Sequence, residues 1–391
     1  MQMLSGELQL FGVFHCLRFI KGILIMPIPI ILGAAALATA AYGAKKGYDG
    51  YQKHSEADDT VNSAKRRYEE TRAPFDIQEK ATNDVLDVLG QEELKIGQQF
   101  NEFKTLADDI LQKLNSGRQN KLEISIPKHK LQKIEGYSYT AIGVLGAAAG
   151  AGAAGAAAGF AIYGGVMALG AASTGISISA LSGVAATNAT LAAIGGGSLA
   201  TGGLGMAGGS AILGAAVAGP VLAIAGWAYN SHGEEAIKNA NKINSQVGSA
   251  IAKLKKAQEQ LSNTEDYAFE IIEVLKAVYA QFDQYFDILK AVTRQIEAAK
   301  VLKQDPQVAL AQLSDTIMRA IGNGYALAAI LVDLITTPLF RVKHVNGEIQ
   351  KDTHGVPVMD TDEDGSMILN TDQLDKQLCD TKTSAARIEP A

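Results

Sequence analysis

Apolar residues recur at alternating intervals of three and four from position 240 to position 299. Ala240, Ile243, Val247, Ala250, Leu254, Ala257, Leu261, Thr264, Ala268, Ile271, Leu275, Val278, Phe282, Tyr285, Leu289, Val292, Ile296 and Ala299 all keep the spacing, and Thr264 alone among them is polar. About eight heptads without a break predict a coiled-coil seam rather than an ordinary surface helix, about 90 Å long. A related pattern precedes it. Val61, Ala64 and Tyr68 begin a three–four spacing, Pro74 is expected to break it, and Ile96, Phe100, Phe103, Ala107, Ile110 and Leu114 resume it. Residues 50–118 therefore read as helix. In "KLEISIP" (121–127), Leu122, Ile124 and Ile126 alternate with other residues and predict one short strand.

A helix with one apolar face is not stable alone in water, so the long seam needs a partner. The candidates are residues 50–118 of the same chain, above all 96–114, or another copy. With the intrachain partner, the expected geometry is an antiparallel stalk carrying the intervening residues at its tip.

Those intervening residues change the picture. Between Glu135 and Glu234 there is no Asp, Glu, Lys or Arg. Soluble surfaces carry mixed charge, so such a run is hard to place in water. It divides into apolar stretches at 140–172, 178–194 and 198–228, the first and third longer than the ~20 residues that cross a bilayer. Small residues recur every four positions in the first stretch. Gly143, Ala147, Ala151, Gly155 and Gly159 form one row, and Gly146, Gly150, Ala154 and Ala158 another; Gly205 and Gly209 repeat the spacing in the third stretch. Rows of this kind let membrane helices approach closely. We read the block as membrane-inserting; the alternatives are a buried Ala-rich core and a linker. Insertion would be marginal. The strongly apolar side chains of the third stretch supply only about −5 kcal/mol, and its glycines and Pro220 oppose it. Such helices are suited to being held in a soluble form and released later.

"GLGMAG", at Gly203, Gly205 and Gly208, is a literal G-x-G-x-x-G. A dinucleotide loop also needs a preceding strand and an acidic residue about 20 positions on. Neither is present, and the match follows from the local abundance of glycine.

The N-terminal region holds a second apolar run, Gly22 to Ala44, flanked by Lys21 and Lys45. It is long enough to span a bilayer. We read a retained anchor; a signal peptide cleaved near Ala38 and Ala40 and a soluble hairpin are the alternatives, and Met26 is a candidate start. The charges on its two sides balance, so orientation is not legible. Lys128, Lys130 and Lys133 cluster just before the uncharged block, either as a solvated helix start or as a contact for anionic headgroups.

Six regions follow: a leader and anchor (1–45), a first helical arm (46–135), the uncharged block (136–230), the long helix (231–302), C-terminal helices (303–340) and an acidic tail (341–391). The helices of 303–340 are apolar but interrupted by Asp333, and read as amphipathic or docked rather than spanning. In the tail, Asp360, Asp362, Asp364 and Gly365 match the opening of a calcium loop. Its twelfth position is Thr371 where a bidentate Glu is required, so a solvated acidic turn is the better reading.

A net charge of −6 gives no footprint for nucleic acid. Cys16 and Cys379 make neither a metal spacing nor a disulfide framework. There is no H-E-x-x-H, no P-loop and no G-x-S-x-G elbow. We expect no enzyme, no cofactor, no metal and no evident small-molecule substrate.

The order of a long helix, a Gly/Ala-rich apolar hairpin and a long returning helix, over residues 50–302, resembles the α-helical pore-forming toxins of the cytolysin A type and the apolipoprotein-L-type channel proteins. The stretch beginning "ATNATLAAIGGGSLATGG" resembles a Gly-rich block of uncharacterised bacterial membrane proteins. The resemblance implies an all-α protein whose long coiled-coil helices flank a hydrophobic hairpin. It further implies a partner in the lipid bilayer and self-association, at a bacterial inner membrane or in the cytoplasm before insertion. The expected function is to perturb or permeabilise a bilayer, with a membrane-anchored scaffold as the alternative. The packing residues would be Gly143, Gly146, Gly150, Gly155, Gly159, Gly205 and Gly209. The seam would run through Val247, Leu254, Leu261, Ile271, Leu275, Val278, Phe282, Leu289 and Ile296.

Overall fold

The computed structural model describes residues 47–116, 122, 126–151, 157–162, 234–305, 310–350, 358–363, 366–389 and 391. The fold is all-α. Two long helices dominate it: α1 (Gly47–Asn115) and α3 (Glu234–Val301), of 69 and 68 residues. At 1.5 Å per residue each is about 100 Å long. Between them comes α2 (Lys128–Ala151), then a short helical segment at 157–162. After α3 come α4 (Ser314–Ile335), a two-stranded antiparallel hairpin of β1 (His344–Val345) and β2 (Glu348–Ile349), and α5 (Thr371–Ala385).

The three–four stripes of α1 and α3 face each other, and every residue of the 240–299 series is buried. Val61, Ala64, Tyr68, Ile96, Phe100, Phe103, Ala107, Ile110 and Leu114 are buried opposite them. The direction differs from the sequence expectation. Arg67 of α1 donates to Asn244, Thr82 to Leu261, and the rings of Phe100 and Phe103 meet those of Phe282 and Phe286. Partner numbers rise together, so α1 and α3 run parallel, not antiparallel. The described residues of the uncharged block, 136–151 and 157–162, lie along α1 rather than at the tip of an antiparallel two-helix stalk. Sequence spacing carries no direction, because a three–four stripe reads the same from either end.

Pro74 lies inside α1 without ending it. A helix-interior proline removes a hydrogen bond and crowds the preceding turn, at about 3 kcal/mol. Here the helix is held by packing on both sides of the break: Tyr68 and Phe75 are buried, and Arg72 pairs with Asp76 while lying 5.3 Å above the Phe75 ring. Leu122, Ile126 and Pro127 are not in a strand, and the rest of the 121–127 segment lies outside the described residues. So do the apolar run at Gly22–Ala44, the G-x-G-x-x-G, and the second and third apolar stretches.

After α3, α4 packs on α3, and α5 packs on both. In α4, Ile317, Leu327, Leu331 and Val332 are buried. Among the described residues it is the one helix long and apolar enough to cross a membrane, yet most of that length is covered by protein. Gly324 admits the Phe103 ring: a Cβ there would lie 2.4 Å from Phe103 Cζ. The hairpin turns at Asn346 and Gly347, both with positive φ, as a two-residue turn of the twist-matched type requires. The acidic region beyond it is anchored rather than loose. Leu374, Leu378 and Ala385 of α5 are buried, Lys382 pairs with Glu270 at 2.8 Å, and Tyr267 Oη donates to Asp375 at 2.7 Å. That bond raises the Tyr267 phenol to about 12.

Candidate functional site

The uncharged block leaves the stalk through α2, which folds back antiparallel along α1. Lys104 pairs with Glu135 at 3.5 Å, Tyr137 lies against Phe100, and a Cβ on Gly97 would meet Ala141 Cβ at 2.5 Å. Two turns further towards the α1 N-terminus, a Cβ on Gly90 would lie 1.7 Å from the Ala157 carbonyl oxygen. Glycine at both positions, seven apart on one face of α1, is what admits these neighbours. Only a hydrogen atom fits.

Glu93 lies between the two glycines. It is 3 % exposed, and its Oε2 has no hydrogen-bond partner. Tyr137 reaches across from α2 and donates its hydroxyl to the Glu93 backbone carbonyl at 2.7 Å. Burial holds the Glu93 carboxyl well above the usual carboxylate range, because charge is costly away from water. An aromatic cluster extends from Tyr137 along the stalk. Phe100 and Phe282 meet edge to face at 5.3 Å, Phe103 and Tyr325 at 5.1 Å, and Phe160 packs on Tyr137 at 6.0 Å. The cluster ties α1, α2, α3, α4 and the 157–162 segment together.

A second tie lies at the start of α2. Lys133 Nζ is 2.6 Å from Asp333 Oδ1 of α4. The charge that interrupts α4 in sequence is thus the partner of one lysine in the basic cluster. Lys128 is exposed, and Lys130 borders a cavity of about 660 Å³ between α4 and α5, beside Tyr325, Asp333, Asp380 and Thr381.

The packing glycines named from sequence fall differently. Gly143 and Gly146 are on α2, and a Cβ on Gly146 would meet nothing within 4 Å among the described residues. Gly150 is helical and Gly159 half-buried in the 157–162 segment. Gly155, Gly205 and Gly209 lie outside the described residues. The seam residues Val247, Leu254, Leu261, Ile271, Leu275, Val278, Phe282, Leu289 and Ile296 are all buried on α3. At the calcium-like turn, Asp362 is not solvated: its side chain is 19 % exposed and sits 2.8 Å from Lys256.

Gly90, Glu93, Gly97 and Tyr137 were not singled out by sequence reasoning. A signal existed for Glu93. Positions 86, 89, 93, 96, 100, 103, 107, 110 and 114 keep the three–four spacing, and Glu93 is the one charged residue in that stripe. Comparison of the chain with protein-family models, with curated proteins and with solved structures finds no match.

Proposed function

We propose that the protein is a membrane-inserting helical protein that perturbs or permeabilises a bilayer. The supporting observation is the two-sidedness of α2. Its inner face, with Ile134, Tyr137, Ala141 and Val144, is buried on the stalk. Its outer face carries Tyr139, Ile142 and Gly146, all exposed, and no charged side chain after Glu135. A helix that is apolar all round belongs in a core or in lipid. The parallel α1–α3 pair is the rigid frame, and the uncharged residues 136–233 are the part offered to the bilayer. Small-residue rows in that block would then serve helix packing within lipid.

A second reading is a membrane-anchored scaffold without pore activity, favoured by the length of the α1–α3 pair and by Ile77, Val88 and Phe269 exposed along it. Release of entrapped dye from liposomes by the full-length protein separates the two. Permeabilisation predicts release that Ile142→Lys abolishes, since a charge at that position opposes insertion. Membrane association with no release supports the scaffold.

A further inference from the structure

Glu93 is a buried carboxyl placed where the uncharged block meets the stalk. Close approaches flank it on α1, to α2 at Gly97 and to the 157–162 segment at Gly90. Tyr137 is bonded to its backbone, leaving Oε2 without a partner. The charged groups nearby are engaged elsewhere. On α1, Glu92 lies 4.0 Å from Lys95 and takes Lys276 of α3 at 3.5 Å, and Lys95 stands over the Tyr279 ring. On α2, Glu135 is paired with Lys104 and Lys133 with Asp333. The 157–162 segment, Ala-Ala-Gly-Phe-Ala-Ile, has no titratable side chain.

We propose that Glu93 is a proton-operated latch: its carboxyl is neutral while α2 and the 157–162 segment are seated on α1, and its ionisation releases them. A carboxylate in this pocket is almost wholly buried and faces no cation among the described residues, whereas undocking of α2 hydrates it. The seated state therefore binds the proton more tightly than the released state. Seating is at full strength below the range of a free carboxyl, about pH 4.3, and is lost as pH rises through the raised value of the docked form. Acid fastens this latch and alkali opens it. The latch concerns the seating of α2 and the 157–162 segment and stands whether or not the released block enters a bilayer.

Hydrogen exchange of the full-length protein, corrected for the intrinsic pH dependence of exchange, tests it. The amides of α2 in the wild type should lose protection as pH rises above the range of a free carboxyl, by about tenfold for each unit by which docking raises the carboxyl. Glu93→Gln and Glu93→Leu, which carry no titrating proton, should keep acid-like protection throughout. Amides of α3 around Leu275 should stay protected in all three proteins. An equal fall in wild type and variants overturns the proposal, and so does pH-independent protection in the wild type. If Glu93→Gln does not fold, Glu93→Leu and the wild-type profile still decide.

Discussion

The hydroxyl of Thr82 donates to the backbone carbonyl of Leu261 across the stalk, at 3.1 Å. Thr82 is wholly buried, and Gln78 one turn before it reaches Glu265 one turn after Leu261. A buried hydroxyl without a partner is costly, so this layer fits one register and one direction well and others poorly. It does for α1 and α3 what a single polar seam position does in other helix pairs, trading some stability for uniqueness of alignment.

The parallel direction has a direct test. In the full chain with Cys16 and Cys379 replaced by serine, Arg67→Cys and Asn244→Cys should join through a short bis-maleimide. Arg67→Cys paired with Thr293→Cys should not. Gel mobility after mild proteolysis between the helices reads both. Linking of the second pair in preference to the first would mean that the helices run antiparallel.

Leu275 and Leu289 are completely buried in the seam of α3. Leu275→Asp or Leu289→Asp places a carboxylate there without a cation, and each should cost several kcal/mol. Lys276, next in sequence, is more than half exposed and pairs with Glu92 at 3.5 Å. Lys276→Asp loses that surface pair and sets two like charges together, at about 1 kcal/mol or less. Thermal melting of the full chain followed at the helical signal should drop much further for the two leucine variants. Equal drops in all three would mean that the seam does not carry the stability of the stalk.

Much of this was written in the spacing of residues. All eighteen positions of the 240–299 series are buried because a three–four period and one covered face are the same fact stated twice. Direction was not legible, since a palindromic period fixes which face is covered but not which end of the partner meets it. Pro74 misled for a different reason: the local cost of proline is real, but a helix pinned along both flanks outweighs it. Asp333 looked like an interruption of an apolar helix, whereas its partner Lys133 lies 200 residues away in the chain, a distance no local pattern reports. Gly90 and Gly97 were hidden because isolated glycines in a charged helix draw no attention beside a block containing dozens of small residues.

The Lys133–Asp333 tie should behave as a half-exposed ion pair. Its side chains are 26 % and 39 % exposed. A double-mutant cycle of Lys133→Met and Asp333→Asn, read by melting of the full chain, should give a coupling of about 0.5–1 kcal/mol that shrinks in high salt. A coupling indistinguishable from zero at low salt would mean that α2 and α4 are not tied there.

The glycines offer the sharpest contrast, because the same substitution should act with opposite sign at positions on two facing helices. At Gly146 on α2 a methyl group meets nothing within 4 Å among the described residues, so Gly146→Ala should only remove the backbone entropy of a helical glycine and stabilise by about 0.5–1 kcal/mol. At Gly97 on α1 the new Cβ would lie 2.5 Å from Ala141 Cβ, and at Gly90 1.7 Å from the Ala157 carbonyl oxygen. Neither neighbour is the far end of a flexible side chain, so the elements themselves must move apart. Gly97→Ala and Gly90→Ala gain the same entropy term but lose more through overpacking, about 1–3 kcal/mol. The Gly97→Ala loss has a specific remedy. Ala141→Gly on α2 removes the opposing methyl and should recover much of the stability, although Ala141→Gly alone is destabilising, as glycine in a helix should be. Melting of the four single variants and of the Gly97→Ala, Ala141→Gly double variant tests the whole set. A Gly97→Ala protein that melts above the wild type, or a double variant that merely adds the two losses, would remove the close α1–α2 approach on which the site depends.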